Sequence, residues 1–382
     1  MGRYRSETWF SGNDVDALMH RAWIRTEGFT KEVFQGRPVI GIANSWSELN
    51  NCNAHLRTVA EAVKRGVWQA GGFPLEFPTI SLGEMLMKPT AMLYRNLMAM
   101  DVEESIRGYP LDGVVMLGGC DKTVPAALMG AASANVPAMM LTGGPMLNGH
   151  WDGKDVGISD CWRIHDEMKI GRFSDEQVAE AESCLGRSSG HCQVMGTAST
   201  MACMTEALGM TLPGAAAIPA VDSRRNQMAE TVGRQIVQVV KDDIKPSDVL
   251  TSKAFENAIR VLHALSGSTN AVIHLIAIAG RVGVDLPMSL FDELSKTTPW
   301  MVNLRPAGRY MMEDFFYAGG LPALMLEMGD LLHQDALTVS GRKVGENLSD
   351  AKIINSDVIA SRAQPLGDAQ GLVVLRGNLC PN

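Results

Sequence analysis

Short apolar runs that do not alternate with polar residues recur along the first part of the chain. They cover residues 37–43, 74–80, 114–117 and 138–141, and each is followed by a segment of helical spacing or by glycine and proline. Runs of this kind fit strands buried on both faces, as in parallel sheets. The intervening segments 56–70, 89–106 and 125–134 carry helical periodicity. Gly71-Gly72, Gly118-Gly119, Asn135 and Pro137 punctuate them. Strand, helix and strand in repeated succession predict an α/β fold, a parallel sheet flanked by helices. Helical spacing also marks 14–24 and 255–265, and residues 271–282 read as a strongly apolar helix of core type. Residues 301–304 and 371–377 read as two further short strands, while 344–361 is polar and without pattern.

In a parallel sheet the strand exits share one rim, and open α/β sheets bind ligands there. The first exit, residues 44–55, is rich in turn formers and delivers Cys52 just before a helix. The second carries Glu84, and the third carries Cys120, Asp121 and Lys122 between Gly119 and a helix that takes Pro125 in its first turn. The three exits are expected to converge. A glycine-rich turn further on places His191 and Cys192 close to the start of a helix that ends near Gly209, a position expected to favour thiolate. Cys203, inside that helix, reads as core. Asp222-Ser223-Arg224-Arg225 offers two guanidinium groups to a carboxylate, or else forms a solvated turn.

Composition narrows the function. The chain has 382 residues, 46% of them apolar and 20% charged, with a net charge of -8, so it reads as one large or two ordinary globular domains without the basic footprint of a nucleic-acid binder. Its partners are expected to be small molecules or further copies of itself. Seven scattered cysteines, none in a Cys-x-x-Cys pair, suggest neither a disulfide framework nor a zinc ribbon, and fit reduced thiols in the cytoplasm. The first residues lack the apolar core of a signal peptide, and no uncharged apolar stretch is long enough to span a membrane.

Thiolates suit zinc or an iron-sulfur cluster, whereas Glu84 and Asp121 suit magnesium or calcium. A soft site beside a hard one fits a substrate with several oxygens, one centre gripping a carboxylate and the other acting as Lewis acid on a departing hydroxyl. A cluster held by only three thiolates leaves one iron position open, while a structural zinc site is the competing reading of the same thiols. The Lys122-Thr123 pair lacks the glycine spacing of a phosphate loop, and no Gly-x-Gly-x-x-Gly follows a strand, which disfavours nucleotide chemistry.

Several of these motifs together resemble a known family. Asn51-Cys52-Asn53, Gly119-Cys120-Asp121-Lys122-Thr123, Gly190-His191-Cys192, the run from Met195 through Thr197 to Met201, Glu206-Ala207-Leu208-Gly209, Gly267-Ser268-Thr269-Asn270 and Val374-Leu375-Arg376-Gly377-Asn378 are similar to those of the dihydroxy-acid and sugar-acid dehydratases. The resemblance runs from near Arg5 to the last residue, and Asp222 to Arg225 leans toward the pentonate enzymes. It implies that Cys52, Cys120 and Cys192 hold a 2Fe-2S cluster and that Glu84, Asp121 and a carbamylated Lys122 hold Mg2+. The implied reaction dehydrates a 2,3-dihydroxy sugar acid, such as L-arabinonate or D-xylonate, to a 2-keto-3-deoxy acid. Alternatives are a branched-chain dihydroxy-acid dehydratase and a non-catalytic module. The resemblance also implies an α/β cluster- and metal-binding domain over residues 1–365 and the start of a β-barrel-like carboxyl-terminal domain at 366–382. In the family that second domain supplies the base, so the base is expected beyond Asn382 and this chain alone is expected to be incomplete. A homodimer or homotetramer is expected.

Overall fold

Four parallel strands build the central sheet in the computed structural model, which describes residues 4–369 and 371–379. They are β1 (Val39–Asn44), β2 (Phe73–Pro78), β3 (Gly113–Gly118) and β4 (Ala138–Thr142), in the spatial order β2-β1-β3-β4. The register sets Ile42 opposite both Glu76 and Val115, and Leu117 opposite Leu141. Every residue of β1, β3 and β4 is buried, as their unalternating apolar sequences require. The edge strand β2 is half exposed and carries Pro74 and Pro78, which remove N–H groups from the rim of the sheet.

Helices cover both faces. Leu56–Gln69 packs with Ser223–Lys241 against β1, β3 and β4, and Arg95–Gly108 packs with Thr123–Ala134 on the other side. The first pair meets backbone to backbone: a side chain at Gly66 would overlap the Glu230 carbonyl, and one at Gly233 the Val63 carbonyl. Thr123–Ala134 ends where Asn135 turns left-handed at φ 49°, the stop its sequence signalled. Thr197–Ala207 and Ser252–Ala264 lie beyond and join one continuous core. No described helix is long and apolar enough to cross a membrane.

The strand order has a consequence for function. From β1 the chain crosses to β2 on one side, and from β3 it crosses to β4 on the other, so the connections diverge between the carboxyl ends of β1 and β3. Such a divergence opens a crevice at the topological switch point, the usual ligand site of open α/β sheets.

Several sequence-based expectations are corrected. Residues 301–304 form no strand: Val302 and Leu304 are buried, yet each makes only an isolated bridge, to Ile359 and Tyr310 respectively, so the stretch is shared between two partners. Residues 371–377 also form no strand. Val373 and Leu375 are exposed, and an apolar run becomes a strand only against a partner. Of the expected second domain's first residues, 370 and 380–382 lie outside the described residues, as do 1–3 of the first domain. The helix expected over 89–106 starts later, at Arg95, after a 3-10 turn at Ala91–Tyr94.

Asp112, just before β3, ties the amino-terminal segment to the sheet. Its buried carboxylate accepts from the Val39 amide at 2.6 Å and from the Ser6 hydroxyl and amide at 2.6 and 3.0 Å. Burial raises its pKa and these donors lower it, with burial dominant. Asp112→Ala strands those donors, so it should cost about 2–5 kcal/mol in denaturant unfolding, and Asp112→Asn less.

Candidate functional site

The crevice is assembled by hydrogen bonds that stitch four loops together. After β1, Asn53 is fully buried. Its amide nitrogen donates to the Ser45 carbonyl at 2.9 Å and to Ser81 Oγ at 2.9 Å, and its Oδ1 accepts from the Gly119 amide at 2.7 Å. One side chain therefore joins the exits of β1, β2 and β3. His55 Nε2 donates to the Gly143 carbonyl at 2.8 Å, which adds the exit of β4. That exit carries on the sewing: the His191 amide donates to the Gly144 carbonyl at 3.0 Å, the Met146 amide to the His191 carbonyl at 2.8 Å, and the Gly190 amide to the Asn51 carbonyl at 3.1 Å.

These ties bring together thiols that lie far apart in the sequence. Cys52 and Cys120 are buried and in hydrogen-bond contact, and Cys192 stands close enough for its charge to act on Cys52. The contact and burial push the Cys52 thiol up, whereas Cys120 comes down because Cys52 donates to it. Cys120 is fixed from below by its own amide, which donates to Thr123 Oγ1 at 3.0 Å. Cys192 departs from expectation. The helix begins only at Thr197, so its amino terminus does not reach the thiol, and burial pushes Cys192 up to about 12. Cys203 is buried in the core as expected.

Beside the thiols lies an ionic group. Lys122, almost wholly buried, places Nζ 3.1 Å from Glu84 Oε2 and 3.4 Å from Asp121 Oδ2. Burial, with the Glu84 charge, raises Asp121 despite Lys122. Burial alone would raise Glu84, but the Thr90 hydroxyl, the Lys122 ammonium and the Ala91 amide together hold it below the ordinary carboxylate range.

Does this donor set fit the implied groups? Among the described residues no three His, Cys, Asp or Glu side chains stand as a ready-made cage for one metal ion. The thiols are three soft donors on separate loops, a set that suits a multi-iron cluster better than a single ion. At the hard site the ammonium of Lys122 already occupies the place of a cation between two carboxylates. Turning that ammonium into a carbamate would reverse its charge and leave three anionic donors needing a cation.

Asp222 to Arg225 splits between its two readings: Asp222 caps the helix Ser223–Lys241 and pairs with the exposed Arg224, whose Nε lies 2.8 Å from Oδ1, whereas Arg225 is fully buried, so the two guanidinium groups do not act as a pair. Asn53 was named only within the Asn51-Cys52-Asn53 motif, without a role of its own, and His55 and the Gly143-Gly144 pair were not singled out from the sequence. A glycine pair straight after a buried strand is the one signal that pointed there.

Gly119 tests the stitching. A Cβ there would lie 2.6 Å from the Cys52 carbonyl. Gly119→Ala should push the two thiol loops apart and cost about 1–3 kcal/mol, read as a lower unfolding midpoint together with faster thiol labelling at Cys52.

Residues 37–347 match the model of the family described as dihydroxy-acid/6-phosphogluconate dehydratase, N-terminal. The chain is 54% identical over 382 residues to an L-arabinonate dehydratase of Rhizobium leguminosarum bv. trifolii, covering 99% of this chain and 66% of that one. It is 40% identical over 383 residues to a D-xylonate dehydratase of Caulobacter vibrioides, at 99% and 64% coverage. To a dihydroxy-acid dehydratase of Caldicellulosiruptor saccharolyticus it is 41% identical over 370 residues, at 95% and 67%. The chain thus spans about two thirds of the length of these relatives.

Proposed function

The chain belongs to the dihydroxy-acid/6-phosphogluconate dehydratase family, and from that premise we propose that it serves a hydro-lyase that dehydrates a 2,3-dihydroxy sugar acid to a 2-keto-3-deoxy acid. The observation that carries the proposal is the meeting of two buried thiols, Cys52 and Cys120, and the partly buried Cys192 with Glu84, Asp121 and Lys122 at the switch point of the sheet. Cys52, Cys120 and Cys192 would hold a 2Fe-2S cluster, and Glu84, Asp121 and carbamylated Lys122 would hold Mg2+. When bound, the cluster would supply a Lewis acid for the departing C3 hydroxyl and magnesium a hard cation for the carboxylate and C2 oxygen.

The chain's own part is to position and to seal. Asn53 fixes the relative height of the Cys52 and Cys120 loops, and Thr123 fixes the Cys120 amide, so the soft donors need little rearrangement to bind. Burial of Cys52 and Cys120 keeps bulk water from those two thiols, and the Thr90 hydroxyl and Ala91 amide orient Glu84 toward Lys122. The group that takes the C2 proton is not assigned to a residue of this chain. A cytoplasmic homodimer or homotetramer completes the proposal; exposed Val15, Leu18, Met19 and Trp23 on one helix offer an apolar face for association.

The sugar-acid reading is favoured over the branched-chain one by the higher identity to the arabinonate than to the dihydroxy-acid relative. A substrate panel tests it. L-arabinonate, D-xylonate and 2,3-dihydroxyisovalerate are incubated with the hydro-lyase that this chain serves, and 2-keto acid is measured. Turnover of a pentonate supports the proposal; turnover of 2,3-dihydroxyisovalerate alone overturns the substrate assignment.

A further inference from the structure

Two buried charged groups that the proposed reaction does not use, Arg225 and Glu206, hold the loop over residues 212–220. Arg225, wholly inaccessible, donates through Nη1 to the Thr142 carbonyl at 2.8 Å and the Ala215 carbonyl at 3.0 Å, and through Nη2 to the Ile218 carbonyl. Its Nε has no partner among the described residues. Glu206, on Thr197–Ala207, accepts from the Gly214 amide at 2.7 Å and the Ala216 amide at 2.8 Å. Two charged groups from two helices therefore clamp one loop, residues 212–220, Glu206 by its amides and Arg225 by its carbonyls. Burial is costly to both: it pulls Arg225 down to about 9 and pushes Glu206 up to about 7.

The loop passes this constraint on to the site. Gly144, at φ 89°, lies so close over the clamp that a side chain there would overlap the Ile218 carbonyl and the Arg225 guanidinium. The Ala220 amide donates to the Pro145 carbonyl at 2.9 Å, and the Gly144 carbonyl accepts from His191, the residue before Cys192. Thr142, held directly by Arg225, ends β4. From guanidinium to Cys192 the path runs through the Thr142 carbonyl, the main chain to Gly144 and the hydrogen bond from the His191 amide, with no side chain between the guanidinium and Cys192.

Building on the cluster site proposed above, we propose that Arg225 is a positioning residue for Cys192, setting the height of its loop relative to Cys52 and Cys120. A flat fork of donors can reach three carbonyls at fixed angles, which a lysine ammonium cannot reproduce.

The test compares Arg225→Lys with Glu206→Gln and the parent protein, free of cluster, by mass-resolved thiol labelling and by hydrogen exchange at the His191 and Met146 amides. Each protein is then reconstituted with iron and sulfide and its visible circular dichroism recorded. Arg225→Lys should label Cys192 about tenfold faster, with Cys203 unchanged as an internal control for global unfolding, and should alter the dichroism of the reconstituted centre. Glu206→Gln should do the same to a smaller degree. Equal labelling of Cys192 and equal exchange in a folded Arg225→Lys protein overturns the inference, and so does equal acceleration at Cys192 and Cys203. If the parent takes up no iron while Arg225→Lys still frees Cys192, the cluster reading fails and the positioning role stands.

Discussion

Cys120→Ser should yield a folded protein that no longer retains iron. Cys120 sits at the centre of the gathered thiols, accepting from Cys52 and fixed through Thr123, so serine keeps the shape and a hydrogen-bonding atom. Stability should change by no more than about 1–2 kcal/mol. Affinity is another matter, because an alcohol is a hard and weakly acidic donor where a thiolate is soft. Loss of a mere outer-shell partner costs 10–100-fold in metal affinity, so loss of a ligand should cost at least about 100-fold. Iron and labile sulfide analysis beside a thermal melt checks both halves. A variant that melts normally and keeps its iron would remove Cys120 from the site.

Lys122→Arg should abolish the response to magnesium while leaving the fold intact. The guanidinium preserves the positive charge between Glu84 and Asp121, but it has no free amine to take up CO2. In the parent, Mg2+ with bicarbonate should raise unfolding stability by mass action, about 2.7 kcal/mol at a hundredfold excess over the dissociation constant, and the variant should show none of this. In the hydro-lyase that the chain is proposed to serve, activity should fall by about 100-fold or more. Melting curves with and without Mg2+ and bicarbonate provide the check. Equal stabilisation of parent and variant would show that Lys122 takes no part in binding the cation.

What the sequence made legible was the rim. Unalternating apolar runs located β1, β3 and β4, the last two closed by glycine pairs, and the exits of parallel strands then brought Cys52, Glu84 and Cys120 to one edge. What stayed hidden depended on three-dimensional context. Cys192 reads as a helix-terminal thiol, yet burial governs it and the helix starts five residues later, at Thr197. Arg225 reads as a surface cation beside Arg224. Its neighbour is indeed exposed, but the rotation of about 100° from one helical residue to the next places Arg225 inside, where three carbonyls stand in for water. Residues 371–377 show that a β-prone run does not create its own partner, and Asn53 shows the converse, a small polar residue without pattern that organises three loops.

The central claim is that Cys52, Cys120 and Cys192 share one iron-sulfur centre next to Glu84, Asp121 and Lys122. Its most direct test is a crystal structure of anaerobically purified protein with anomalous difference maps measured on both sides of the iron edge. Iron density bonded to all three sulfur atoms, with a separate lighter cation against Glu84 and Asp121, is the predicted result. Zinc in that position, or iron bonded elsewhere while the three thiols stay unligated, would contradict it.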